Sequence, residues 1–396
     1  MMDQSNRDSK NTARDVIRVH GDPAQLDGAA WNALLARQAK PTPFMRAEYF
    51  AALHQSGSAV ASTGWAARFV TVSRDGQLVA AAPAYLKSHS YGEYVFDWAW
   101  ADAYQRHGLR YYPKLLVAVP FTPVPGTRLM AVDDAARQTL LAGLTQLAQQ
   151  EKASSIHLLF HDASESPAIE AQGWLVRRGV QFHWTQPPES PWPDFDSFLA
   201  SLQRDKRKKI AQERRKVVDA GITFTSHQGA DIHPALWRFF HHCYSLTYQA
   251  HHSTPYLTLA FVEAMAATLP QHWLMFVAHR GGVPIATSLL AIDAPQGQAY
   301  GRYWGCTEHH PCLHFEACYY QPLAWCIANG YQRFEGGAQG EHKMARGLLP
   351  VGTQSAHWLA HPEFSRAIED FLKREGAGVA SYVDELAEHS PFKAGR

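Results

Sequence analysis

The sequence predicts a two-domain protein of mixed α/β class, with two sheets that are each part antiparallel. Three observations predict it: an echo at an offset of 212 residues, a second at an offset of 206, and a proline-rich stretch between the copies. In the first echo Thr42-Pro43-Phe44-Met45, with Tyr49 four positions on, recurs as Thr254-Pro255-Tyr256-Leu257, with Phe261 four positions on. In the second, Phe69 to Val72, Arg74-Asp75-Gly76 and Leu78 to Leu86 recur as Met275 to Ala278, Arg280-Gly281-Gly282 and Val283 to Ile292. A period this long marks a duplicated domain, because solenoid repeats run at about 20–50 residues.

Each copy of the first echo opens an apolar-periodic stretch entered through a Pro turn, so helices are expected over Tyr49 to Leu53 and Phe261 to Met265. Each copy of the second sets two apolar runs about a Gly-containing turn, the signature of a β-hairpin. At the same offset Tyr94 falls on Tyr300 and Trp98 on Trp304, which predicts a third strand in each copy. Helical spacing follows over Ala135 to Gln150 and Phe315 to Ala328, then a short strand over Ser155 to Phe160 and Tyr331 to Phe334. Gln186 to Pro193, with four prolines in seven positions, stops regular structure and sets the boundary. The expected division is a disordered tail over 1–15, an N-terminal domain over 16–188 and a C-terminal domain over 189–396.

With 396 residues, 46% of them apolar, the chain can bury a sizeable core. Lys and Arg total 37 against 36 for Asp and Glu, so there is no whole-molecule attraction to nucleic acid or anionic lipid and any polyanion site is local. The 22 histidines make the real charge sensitive to mild acid. No apolar run approaches a membrane span and Met1 to Asp15 is polar, so the expected address is the cytoplasm. Five cysteines, an odd number confined to the second half, read as reduced thiols rather than a disulfide framework.

Basic charge is concentrated at Arg204 to Lys216, where eight basic and two acidic residues occupy thirteen positions. Phe195, Phe198, Leu199 and Leu202 precede it at helical spacing, Asp194 or Asp196 can cap and Gly221 can stop, so one basic helix is expected over 195–220. It reads either as a surface for phosphate, on a nucleotide cofactor, tRNA or a diphosphate-linked precursor, or as a solvated helix linking the domains. Cys306, His309, His310, Cys312, His314 and Cys318 crowd thirteen residues, but Cys-x5-Cys-x5-Cys is not the usual zinc spacing, and no metal is expected. The densest candidate site runs from Glu335 to Gly347. Gly336, Gly337 and Gly340 let the backbone approach a ligand, and Glu335, Glu341, His342, Lys343 and Arg346 bring ionisable groups. It is neither a Walker loop nor a dinucleotide fingerprint, and no serine-hydrolase elbow or zincin pair occurs in the chain.

Leu313 to Gln321 and Tyr331 to Lys343 closely resemble the FemAB-like family of bacterial proteins. So do Tyr85-Leu86-Lys87, Gly92 to Asp97, Trp100 to Tyr104, Tyr111 to Leu115 and Val119 to Val124, and the likeness covers about Pro43 to Trp358. The resemblance implies paired GNAT-type acyltransferase folds, with acyl-CoA, such as acetyl-CoA, as co-substrate and an amine as acceptor. Its alternative implication is the chemistry of the related Fem ligases, which move an aminoacyl group from tRNA to a peptidoglycan precursor; the charge of the basic residues 204–216 would then be the tRNA contact. The Arg/Gln-x-x-Gly-x-Gly/Ala loop of ordinary GNAT enzymes is missing; Gly301 to Cys306 stands in the matching place. A further reading is a binding protein for cell-wall precursors that has lost the chemistry.

Acyl transfer to an amine needs a base and donors for the oxyanion. Glu316, Glu335, Glu341 and His342 are the candidate bases. Lys343 and Arg346 would hold a phosphate or carboxylate, with Gly336, Gly337, Tyr303 and Trp304 about the substrate. Asp97, Asp102 and Tyr104 would line the groove from the first domain.

Overall fold

The first half begins with β1 (Val16–His20), α1 (Gly28–Ala36), α2 (Ala47–Gln55), β2 (Trp65–Ala67), β3 (Phe69–Arg74), β4 (Gln77–Ala82) and β5 (Ala84–Lys87). It continues through α3 (Trp98–Arg106), β6 (Lys114–Val117), β7 (Met130–Ala131), α4 (Asp134–Gln150), β8 (Ser155–Leu159), α5 (Ser166–Ala171) and β9 (Leu175–Thr185). Helices α6 (Phe195–Ser201) and α7 (Arg204–Asp219) lead to β10 (Ile222–Gln228), α8 (Pro234–Ala250), α9 (Leu259–Thr268), β11 (Trp273–Arg280) and β12 (Val283–Asp293). The rest is β13 (Gln298–Cys306), α10 (Leu313–Phe315), a π turn (Glu316–Tyr320), α11 (Gln321–Ala328), β14 (Arg333–Glu335), β15 (Leu349–Leu359) and α12 (Pro362–Glu388). The computed structural model describes residues 15–337 and 340–393. The tail expected over 1–15 lies outside them except for Asp15, which is held by Arg74 at 2.8 Å.

The duplication is physical. The hairpins β3–β4 and β11–β12 each slip register at one point, between Val72 and Ser73 and between Ala278 and His279, the same offset of 206. The echoed aromatics Tyr49 and Phe261, on α2 and α9, meet edge to face with centroids 5.4 Å apart. Both are buried in one core cluster that runs from Trp31 through Phe44 and Phe50 to Trp273 and Tyr300, so the two halves share a core. Thr258 caps α9 by accepting from the Phe261 N–H, which lets the helix start where the echo places it.

Strand order shows how the halves are joined. A small sheet runs β1-β3-β4-β7, and a large one runs β10-β11-β12-β13-β14-β9-β15-β8-β6-β5-β2. The first hairpin is divided between them at Arg68 and Pro83; Pro83 has no N–H to give a ladder. In each half two strands then run parallel, β6 beside β8 and β13 beside β14. The next strand is exchanged. First-half strand β9 lies antiparallel to second-half β14, and second-half strand β15 lies antiparallel to first-half β8. The exchanged strands pair with each other, Leu349 opposite His183 through His357 opposite Leu175. A boundary at 188 therefore divides the chain but not the sheet.

Three expectations about elements are corrected. Tyr94 to Trp98 is not a strand: Tyr94 turns with a positive φ and Trp98 opens α3, while the third strand is β6, sixteen residues past Trp98. The basic helix is two helices, because α6 ends at Ser201 and the chain turns at Leu202, whose bridge to Phe392 ties it to the C-terminal segment. The helix expected over Phe315 to Ala328 is broken by the π turn at Glu316 to Tyr320.

Gly305 on β13 marks where α8 presses on the sheet: a Cβ there would sit 2.0 Å from the Cys243 carbonyl oxygen. Gly305→Ala is expected to cost about 3 kcal/mol through a backbone clash that no rotamer relieves. Gly378→Ala, on exposed α12 with open space about it, should gain up to about 1 kcal/mol. Thermal unfolding of the two variants should move in opposite directions.

Candidate functional site

The parallel pair β13–β14 holds for three residues, Gln298 with Arg333 through Tyr300 with Glu335, and then parts. On its other side β13 carries one extra residue against β12: Leu289 faces Tyr303 and Leu290 faces Gly301, so Arg302 is bulged out. Parting strands and bulge open a cavity of about 460 Å3. Its base is Gly301 to Trp304 of β13 with Gly337 beyond β14; Tyr244 and Tyr248 of α8 and Tyr256 wall one side, and Tyr94 and Pro123 of the first half close the other. Arg302 fixes the two halves against each other by donating to the Phe121 carbonyl at 2.6 Å, and its guanidinium lies over the Phe44 and Tyr303 rings.

Glu335 ends β14 on the strand residue paired with Tyr300. It is 3% exposed, and its Oε2 has no hydrogen-bond partner in the described residues. Burial pushes its carboxyl up to about 7 against the pull of Lys40, Arg302, Arg333 and Arg128. Lys40 Nζ is 3.9 Å away and His183 Nε2 4.0 Å away. The Gly336-Gly337 step that follows is required by packing: a Cβ on Gly336 would meet Leu348 at 2.5 Å, and Gly337 has φ +84°. Lys343 is buried and folds back onto this step, donating to the Gly337 carbonyl at 2.9 Å; burial lowers its ammonium to about 8.

The other expected site residues are occupied elsewhere. Glu316 is paired with Arg214 of α7 at 3.2 Å and accepts from Gln321, so it fastens the π turn to the basic helix. Arg346 is closed in by Glu213 at 2.8 Å and by the Phe315 ring 3.6 Å beneath it. Glu341 accepts from Tyr382 at 2.6 Å, and His342 meets the Tyr319 hydroxyl at 3.2 Å. Ala338 and Gln339 of this loop lie outside the described residues. From the first half, Asp97 is buried against Lys114 and Tyr111, Asp102 pairs with Arg106 in the open, and Tyr104 is buried on Phe364. None of the three lines the cleft; the groove expectation is corrected to Tyr94 and Pro123.

Tyr303, Trp304 and Gly337 line this cavity, with Gly336 next to Gly337 but outside the lining, while Arg302, Tyr244, Tyr248, Lys40 and His183 were not singled out by the sequence. Tyr256 carried a signal, since it stands in the first echo at the place of Phe44. The Cys306–His314 turn lines a separate cavity of about 350 Å3, with Cys306 Sγ 3.7 Å from His309 Nδ1. Among the described residues no group of three or more His, Cys, Asp or Glu is placed to hold a metal ion. Nor is any helix there long and apolar enough to cross a membrane.

The fold is shared with solved structures. FemX superposes with a TM-score of 0.52 at 12% identity, covering 90% of this chain and 100% of that one. L-PGS from Bacillus licheniformis gives 0.55 at 10% identity, covering 90% and 99%. At these identities the likeness is one of fold, a tandem of GNAT-like α/β units. No curated protein matches the chain in sequence. A family model does, over residues 22–394, and its description is peptidoglycan biosynthesis/recognition. With nearly the whole chain matched, the protein belongs to the FemAB-like family.

Proposed function

We propose that the chain is an N-acyltransferase working in the cleft between β13 and β14, with a thioester donor, acyl-CoA, and a primary amine as acceptor. The observation that carries this reading is the buried Glu335 carboxyl beside the opening of two parallel strands. The amine nitrogen attacks the thioester carbonyl carbon, and a C–N bond forms as the C–S bond breaks. Glu335 stands behind the cavity lining, so the proton shed by the nitrogen passes to it through water, and the departing thiolate takes up a proton to leave as a thiol. The backbone at the Arg302 bulge, which stands outside the β12 ladder, supplies N–H to the oxyanion. Lys343, next to Gly337, holds an anionic part of the donor. The family description supports an acceptor from peptidoglycan chemistry.

A second reading has the donor on tRNA, and the outward face of α7 favours it. Arg204, Lys208, Lys209, Arg215 and Lys216 are exposed there, while Glu213 and Arg214 turn inward to hold the loop.

Thermal unfolding with CoA, acetyl-CoA, longer acyl-CoAs and charged tRNA separates the readings. A ligand at about 100 times its Kd adds about 2.7 kcal/mol to the folded state, a shift of several degrees. A shift with acyl-CoA alone supports the thioester donor, a shift with charged tRNA alone supports the second reading, and silence from both supports a binding protein without chemistry.

Glu335→Gln should lower turnover at least 100-fold while the variant stays folded. Wild-type turnover should rise with pH through about 7, as the carboxyl loses its proton. Stability runs the other way: because folding raises this carboxyl from 4.5, its contribution is complete below that value and is lost as the pH rises through about 7. The glutamine variant should therefore gain in Tm over the wild type at pH 8 and not at pH 4. An unchanged turnover would remove Glu335 from the mechanism.

A further inference from the structure

We propose that the acceptor is an amine bearing a carboxylate on the adjacent carbon, the α-amino-acid end of a molecule with an apolar or aromatic body, and that Arg302 and a belt of tyrosines select it. The inference rests on the acyltransferase reading and names the acceptor for the same cleft.

Five tyrosines from both halves and from three separate stretches of the second face this cavity: Tyr94, Tyr244, Tyr248, Tyr256 and Tyr303. The four of the second half are in contact with one another. Tyr244 lies 4.8 Å from Tyr248 and 5.2 Å from Tyr303, and Tyr248 lies 5.6 Å from Tyr256, centroid to centroid. Tyr256 is itself held by a parallel stack on Phe121, 4.7 Å away at 7°. Such a wall offers flat apolar area with little entropy to lose on binding, and edge hydroxyls for polar contacts.

The charge on this wall decides what else the ligand carries. Among the described residues no carboxylate lines the cavity, and Arg302 is the one permanently charged side chain in its lining. An aromatic box that held a bare cation would be opposed by that guanidinium, so an ammonium ligand without an anion binds more weakly than one that carries it. Arg302 spends one terminal nitrogen on the Phe121 carbonyl, with the Tyr303 and Thr122 hydroxyls at 3.3 and 3.5 Å from the same atom, while its buried Nε has no partner among the described residues. The fork therefore keeps donors for a carboxylate. Arg302 is one of the charges that act on Glu335, and Tyr300, two residues back on the same strand, is the partner of Glu335 in the β13–β14 pair. A carboxylate on Arg302 thus sets a neighbouring amine on the side of the cleft where the base lies.

Isothermal titration with L- and D-phenylalanine, phenylalaninamide and phenethylamine tests this. At least one enantiomer of phenylalanine should bind at least tenfold more tightly than both compounds that lack the carboxylate. Arg302→Gln should abolish the difference; if that variant fails to fold by near-UV circular dichroism, Tyr256→Leu should instead weaken phenylalanine and phenethylamine alike. Equal binding of the acid and the amide overturns the inference. So does no binding of either acid by a protein that acyl-CoA stabilises, which leaves the acyltransferase reading standing. Absence of both acyl-CoA stabilisation and amino-acid binding removes the two together.

Discussion

Every part of the candidate site depends on the pairing of β9 with β15. Each strand is the last of its own half, and each completes the sheet of the other. Nine residue pairs join them, from Leu349 with His183 to His357 with Leu175, so the two halves meet through main-chain hydrogen bonds as well as through the core they share. Arg177 of β9 adds a two-pronged pair with Glu375 of α12 at 2.7 and 2.8 Å, which closes the helix over the junction. The consequence is positional. Because β9 abuts β14, first-half residues can serve as walls for a second-half cleft, and Tyr94 and Pro123 do so.

The duplication is symmetric in topology and unequal in use. Beyond β6 the chain from Ala118 to Leu129 is buried throughout, and it bonds back to β8 and its surroundings through Gly126 N–H to the Phe160 carbonyl and Thr127 N–H to the Lys40 carbonyl. This segment occupies the space beside the first parallel pair. Most of its polar groups are provided for: Glu165 accepts from the main-chain N–H groups of Arg128 and Asp162, and the buried Arg128 gives to the Gly126 and Val124 carbonyls, leaving only its Nε without a partner among the described residues of the segment. The same segment then presents Phe121 and Pro123 to the second cleft. Filling one copy builds the wall of the other.

Much of this fold could be read from the sequence because duplication leaves local signs. The hairpins, α2, α4, α9 and β8 follow from hydrophobic period and turn residues, which act within about twenty positions of one another. The strand exchange leaves no such sign. Nothing in Leu175 to Thr185 says that its partner is Arg333 to Glu335 rather than Ser155 to Leu159, since both partners offer apolar strand residues. The misplacement of the third strand has the same origin: Tyr94 and Trp98 match Tyr300 and Trp304 in spelling, but Gly92 and Asp97 turn the first-half chain into α3. For the site, ionisable residues in a glycine loop were easy to find. Which of them are already spent, as Glu316 is on Arg214 and Arg346 is on Glu213, depends on α7, more than one hundred residues away.

The two copies also differ at one equivalent position. His183 and His357 hold the same ninth position of the exchanged strands, and each faces the last strand but one of the other half, β14 and β8. In the first copy His357 faces His157, and the imidazoles join Nδ1 to Nδ1 at 2.7 Å, with Ser155, Ser355 and Tyr111 on their outer nitrogens. Burial drives both imidazoles towards the neutral form, so this is a closed network with its hydrogen bonds made. In the second copy the residue facing the histidine is Glu335, at 4.0 Å, with an unpartnered oxygen. A carboxyl buried in that condition costs stability, by its desolvation and by the bond it does not make. The fold thus satisfies the equivalent position in one copy and, among the described residues, leaves a carboxylate oxygen without a partner in the other.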